Sequence, residues 1–207
     1  MKTKARIGRN CTIQDNAIVG LVYMENCKPA VIGNNAVIRA NTIIYADVEI
    51  GNNLRTGHYV LIRENTKIGD NVLIGTQTII DGNTEIGSNV SIQSSVYIPL
   101  NTKIGDNVFI GPRAVMTNDK YPIRKRMELR GPILEDNVSI GANSIIMPGV
   151  RVGEGAFVAA GSVVTRDVPP FMLAIGSPAR FKPLPNDLKR KNMIQNDTNR
   201  KTNSGRV

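Results

Sequence analysis

The chain has 207 residues, with 26 Lys and Arg against 17 Asp and Glu, a net charge of +9, no Trp and only 4% aromatic residues. That length suits one substantial domain, and the scarcity of large rings excludes a core filled by them. No apolar run approaches the ~18 residues needed to span a membrane, no signal-peptide stretch follows the basic start, and two cysteines make no disulfide framework, so a soluble cytoplasmic protein is expected.

Taken in chain order, Ile7, Ile13 and Val19 open a six-residue spacing that slips between 21 and 31. From Ile32 an aliphatic residue recurs every sixth position to Met116, with Thr56 as the one break, and the spacing resumes from Leu134 to Val164. Four residues after each comes a small or β-branched residue, such as Ala36, Thr42, Val48 and Val60. A period of six fits neither an amphipathic helix nor a continuous alternating strand. It fits short strands joined by corners: positions 1 and 5 point inward, 2 and 6 outward, and 3 and 4 turn the chain. Three hexads then make a triangular coil of 18 residues, and stacked coils pair as parallel strands ~4.8 Å apart. The fold class is therefore all-β, a parallel β-helix. Asn fills position 4 in nine of the fourteen hexads from 32 to 115, because Asn tolerates the left-handed backbone of a tight corner. Cys11 falls on an inward, small-residue position and is expected to be buried.

The charge is uneven. Residues 117–133, an insertion in the repeat, carry five basic residues against two acidic, and residues 180–207 carry eight against two. The remaining body carries 13 of each sign. The two basic segments suit anionic partners, although the tail lacks the interleaved aromatics of a single-strand nucleic-acid binder. The domain is expected to span 1–182, followed by a basic tail, 183–207, that is a short helix and then disordered.

In so regular a scaffold the departures are informative. One edge, followed at 18-residue steps, reads His58-Tyr59, Thr76-Gln77, Ser94-Ser95 and Pro112-Arg113, with Asn nowhere at position 4. It continues past the insertion as Ala142-Asn143 and Ala160-Gly161, where small side chains leave backbone N–H groups open to a ligand. From His58 to Ala160 is five coil steps, ~24 Å, about the length of an extended pantetheine-nucleotide.

The repeat, its one protruding loop, and the ending Ala159-Ala160-Gly161-Ser162-Val163-Val164-Thr165-Arg166-Asp167-Val168-Pro169, then Ile175-Gly176-Ser177-Pro178-Ala179-Arg180, resemble the left-handed β-helix hexapeptide acyltransferases over residues 1 to about 182. Gly57-His58 together with Gly111-Pro112 and Thr117-Asn118-Asp119-Lys120-Tyr121-Pro122 resembles more particularly the branch that N-acylates amino sugars on nucleotides. The resemblance implies a left-handed coil, against the usual crossover hand, and a homotrimer with sites between subunits. It implies acetyl-CoA or another acyl-CoA as co-substrate, with no metal. The thioester is expected near Ser94 and Pro112-Arg113, and pantetheine along Gly141-Ala142 and Ala159-Ala160. The CoA phosphates are expected near Arg166, Arg180 and Lys182. Thr76, Gln77, Ser94, Ser95, Asn118, Asp119 and Tyr121 are the expected substrate contacts, the insertion reaching a neighbouring subunit.

Attack of an amine on a thioester needs a neutral amine and donors at the oxyanion. Ser94 or Ser95 and the backbone at Pro112–Arg113 are the candidate donors. The base is His58, Asp81 or neither, the leaving thiolate then taking the proton. His58 lies two coils, ~10 Å, from Ser94. A carbonic-anhydrase reading fails because its metal needs three histidines and the chain has one. An O-acyltransferase of a sugar or serine, and a non-catalytic assembly module on the same scaffold, remain alternatives.

Overall fold

The computed structural model describes residues 1–194. The inward hexad positions build a triangular prism with three parallel sheets as its faces. Face 1 stacks eight strands from Ala5–Ile7 to Arg151–Val152, and face 3 stacks eight from Ile18–Leu21 to Val163–Val164. Face 2 stacks ten, from Thr12–Ile13 through Phe157–Val158, closing with Met172–Gly176 and Ala179–Pro183. Most strands are two residues long, and each pairs in register with the residues one coil on, as Ile74 with Ile92 and Ile80 with Ile98.

The core is a column of position-1 side chains, with Ile38, Ile62, Ile74, Ile92 and Ile110 all at 0% exposure. Threonines at position 5 are buried without penalty because each hydroxyl reaches a backbone carbonyl, as Thr78 to Gln93 at 3.0 Å and Thr102 to Pro99 at 2.7 Å. Thr56, at position 1, is also buried, but its hydroxyl accepts from the Arg39 amide at 2.9 Å. Cys11, expected to be buried, is only half-buried, because its coil lies at the open end of the prism and has a neighbour on one side only. Cys27 is the buried cysteine.

All fourteen position-4 corners from 35 to 113 have a positive φ, including Tyr59 at 57°, Gln77 at 60°, Ser95 at 60° and Arg113 at 59°. At the corner between faces 1 and 2, asparagines stack into an amide ladder, Asn35 to Asn53 at 3.0 Å and Asn53 to Asn71 at 2.8 Å.

Both interruptions leave at the corner between faces 3 and 1. The first lies between Leu21 and Ala30, and the second occupies 117–132, one residue shorter than the repeat implied, because Ile133 already pairs with Lys103. The far end of the prism is closed by the Met172–Gly176 and Ala179–Pro183 hairpin, with Phe181 against the core and the Arg166 guanidinium 4.8 Å from its ring centroid. A short 3-10 helix follows at Asn186–Leu188. The chain then runs back along face 2, where the Asn192 amide donates to the carbonyls of Asn107, Asn137 and Val138 and its carbonyl accepts from Ser139 at 2.9 Å. The remainder of the expected tail, 195–207, lies outside the described residues. Among the described residues no helix is long and apolar enough to cross a membrane.

Candidate active site

The edge between faces 2 and 3 carries His58, Thr76, Ser94, Pro112, Ala142 and Ala160 at position 3 of successive coils. Its chemistry follows from contrast with the edge between faces 1 and 2. There, the position-3 amides from Asn34 to Asp106 are sealed by the side chain one coil on: Asn34 by Asn52 at 2.9 Å, Asn52 by Asp70 at 2.6 Å, Asp70 by Ser88 at 3.0 Å, Ser88 by Asp106 at 2.6 Å and Asp106 by Asp136 at 2.8 Å. On the edge between faces 2 and 3 the Ala40 amide is capped by the Gln14 side chain at 3.1 Å and that of His58 by the Thr76 hydroxyl at 3.3 Å. Pro112 follows Ser94, and Ala160 follows Ala142, and neither side chain can accept a hydrogen bond. Among the described residues the amides of Thr76, Ser94, Ala142 and Ala160 have no acceptor.

Glycine at position 2 keeps these amides uncovered from the coil before. A β-carbon at Gly57 would lie 2.4 Å from the Thr76 nitrogen, at Gly75 2.4 Å from Ser94, at Gly111 2.6 Å from Ala142, and at Gly141 2.4 Å from Ala160. The result is a ladder of four free donors along the edge, at Thr76, Ser94, Ala142 and Ala160, interrupted at Pro112, which has no N–H. Glu64, Gly82 and Leu100, on the corner between faces 3 and 1, also lack an acceptor for their amides; Gly82 is buried there.

The corner residues beside this ladder hold their left-handed backbone at a cost. An L-residue there forfeits about 1–2 kcal/mol, which Asn and Gly reduce, yet Tyr59, Gln77, Ser95 and Arg113 all adopt it. Ile123 and Phe171 share this backbone elsewhere, but four successive corners carry it on this edge, which makes it the candidate edge.

The remaining candidates fall in three places. His58 is exposed, and its imidazole has no hydrogen-bond partner among the described residues. Asp81 is on the far side of face 3, its Oδ1 3.0 Å from Arg63 Nη1 and its Oδ2 accepting from the Tyr97 hydroxyl at 3.1 Å. Arg63 also forks onto Glu64, with Nη2 to Oε1 at 2.8 Å and Nε to Oε2 at 3.1 Å. Burial, then the Asp81 hydrogen bond, raises the Tyr97 pKa, and hydrogen bonds to Asp81 and Glu64 raise that of Arg63. Asp81 is thus an ion-paired anchor with both oxygens engaged.

Asn118, Asp119 and Tyr121 sit at the root of the insertion, across face 3 from Ser94. Asn118 donates to the Leu100 carbonyl at 3.3 Å, and Asp119 Oδ1 accepts from the Tyr121 amide at 2.9 Å. Within one chain they do not meet the amide ladder. Arg166, Arg180 and Lys182 gather at the capped end, Arg166 against Phe181 and the other two exposed on the hairpin. Sequence reasoning missed Arg63 and Tyr97. Arg63 was detectable as the residue one coil before Asp81.

The chain belongs to the bacterial hexapeptide transferase family. The model described as bacterial transferase hexapeptide (six repeats) matches residues 29–64, 65–99 and 131–166, and that of the hexapeptide repeat of succinyl-transferase matches 4–46 and 101–117. The chain is similar to the UDP-N-acetylglucosamine acyltransferase of Arabidopsis, with 23% identity, TM-score 0.70, and 93% of this chain and 74% of that one covered. It is similar also to the UDP-N-acetylglucosamine O-acyltransferase of Moraxella catarrhalis, with 23% identity, TM-score 0.54, and coverage of 89% and 74%. At that identity the likeness defines the fold, a left-handed parallel β-helix. A search of curated proteins finds no match.

Proposed function

We propose that the protein transfers an acyl group, most simply acetyl, from acyl-CoA to the amine of a sugar carried on a nucleotide. The observation that carries this reading is the donor ladder from Thr76 to Ala160. It offers the outward backbone N–H groups of Thr76, Ser94, Ala142 and Ala160, with a gap at Pro112, matching a long, thin substrate with amide carbonyls spaced along its length. Arg180 and Lys182 stand exposed at its far end, where anionic phosphates would lie.

The choice of amine over hydroxyl rests on the candidate bases. Asp81 already accepts on both oxygens, and His58 is ~10 Å from Ser94 along the edge. A hydroxyl needs its proton removed before it attacks, whereas a neutral amine needs none, and the departing thiolate can take the proton afterwards. Ser94, exposed at the middle of the ladder, would donate to the oxyanion.

The reading includes a homotrimer. The outward residues of face 1 form a ladder of alternating charge, Glu49, Lys67, Glu85 and Lys103, with Lys103 3.4 Å from Glu85. Faces 2 and 3 instead expose Leu73, Phe109 and Phe157, and Ile79, Val115 and Ile145. Two different apolar faces suit a head-to-tail contact, which closes into a ring, and they flank the edge that bears the ladder. The insertion, with Ile123 fully exposed at its tip, would then reach a neighbour. A CoA-dependent reaction fits a cytoplasmic protein.

The test is thiol release from acetyl-CoA with a panel of nucleotide-linked amino sugars, alongside calorimetric titration with CoA. Turnover with an amino sugar and none with its hydroxyl counterpart is expected. Absence of both CoA binding and turnover overturns the reading.

A further inference from the structure

The outward residues Ser91, Phe109 and Ser139 stack in three successive coils of face 2. Each lies three residues before a position of the candidate edge: Ser91 before Ser94, Phe109 before Pro112 and Ser139 before Ala142. Three residues of extended chain span at most ~11 Å. Over these side chains the returning C-terminal segment leaves a cavity of about 280 Å³, walled by Asn192, Met193 and Ile194. Asn192 fixes the height of that wall. Its amide donates to the carbonyls of two successive corners, Asn107 at 2.9 Å and Asn137 at 3.2 Å, and to that of Val138 at 3.0 Å. Between the cavity and the edge, the outward position is Gly111 in one coil and Gly141 in the next, so the floor there is bare backbone. In the coil of Ser94 that position is Gln93, whose amide folds back onto the Ser91 hydroxyl at 2.9 Å.

We propose that this cavity holds the acyl chain of the donor thioester and that the group transferred is longer than acetyl; this rests on the acyl-transfer reading above and deepens it. With the thioester beside Ser94 and Pro112, the chain runs from the edge over Gly111 and Gly141 and ends against Phe109 and Ile194. The wall chemistry selects hydrocarbon over a sugar. The Asn192 amide is committed to three carbonyls, and its own carbonyl takes the Ser139 hydroxyl proton at 2.9 Å. Neither residue therefore has a proton left to donate, and among the described residues of the wall only Ser91 keeps one. A sugar ring needs a partner for each hydroxyl taken out of water and finds a single donor. An aliphatic chain needs none and gains from contact with Phe109, Met193 and Ile194. The trimer reading turns face 2 toward a neighbour, which would close the open side of the cavity. Asn192 acts through the wall that it holds, as a positioning residue.

The experiment titrates the full chain calorimetrically with CoA, acetyl-CoA, butyryl-CoA and hexanoyl-CoA, so it needs no acceptor. Each methylene beyond acetyl is expected to tighten Kd about fourfold until the cavity is full. Ser91→Leu fills the cavity from its floor, with a side chain that the strand neighbour Leu73 already carries on this face. Asn192→Ala releases the wall without touching the prism. In Ser91→Leu the ratio of hexanoyl-CoA to acetyl-CoA affinity should fall to near one, and in Asn192→Ala it should fall well below that of wild type. Thermal melts confirm that both variants are folded. A wild-type series that binds CoA but is flat with chain length overturns the proposal and leaves the acyl-transfer reading standing. A length dependence that survives both substitutions places the chain elsewhere and overturns it too. A wild-type protein that binds neither CoA nor any acyl-CoA overturns both readings.

Discussion

The substitution Ala160→Asn would rebuild, on the edge between faces 2 and 3, the seal that the neighbouring edge already has. The Asn34 amide is capped by Asn52 one coil on, at 2.9 Å; Ala142 and Ala160 hold the same relation, but alanine has nothing to accept with. The introduced side-chain carbonyl should therefore cap the Ala142 amide and withdraw one rung from the ladder. A neutral hydrogen bond contributes about 0.5–1.5 kcal/mol net, so CoA should bind roughly 2- to 12-fold more weakly while the fold holds or gains stability. Ala142→Pro removes the same donor by another route. Its backbone is compatible, since Pro112 occupies position 3 one coil earlier, and Gly111 leaves room beneath the ring, as a β-carbon there would lie 2.6 Å from the Ala142 nitrogen. Isothermal titration with CoA, paired with thermal melts, measures both variants. If both bind CoA as tightly as wild type and remain folded, the amide ladder is not the CoA site.

Two further outcomes follow from the corner and the hydrogen-bond network. Ser95→Asn places the residue best suited to a left-handed corner at a φ of 60°, and chemical denaturation should show a gain of about 0.5–1 kcal/mol with reduced turnover. Tyr23 has its pKa raised to about 12 by burial and by its hydrogen bond to Asp47. Its contribution to stability is therefore complete below pH 10 and is lost as pH rises through about 12; ultraviolet titration should show this late phenol ionisation disappear in Tyr23→Phe.

Much of the prism could be read from residue types because its rule is local. An aliphatic residue every six positions states which side chains meet, since stacking adds only a fixed 18-residue offset, as in Ile74 on Ile92. The candidate edge was legible for the same reason, through the loss of Asn at 59, 77, 95 and 113. Individual roles were less so. Asp81 is a plausible base in isolation, but Arg63 and Tyr97 close on it from adjacent coils. Asn118 and Asp119 have the composition of ligand contacts, yet their side chains hold the root of the insertion. Hydrogen-bond occupancy depends on partners one coil away, and periodicity gives their identity without their orientation.

The sequence by itself determined the triangular coil, the left-handed corners, the place of the insertion and the edge worth examining, because each follows from side-chain size or backbone tolerance at a repeated position. Only the tertiary structure decided which amides on that edge remain unpaired, which carboxylate is already occupied, and that the insertion stands across face 3 from Ser94 within its own chain. Those properties belong to pairs of groups brought together by stacking, and whether a donor is satisfied is settled by the atoms beside it in space.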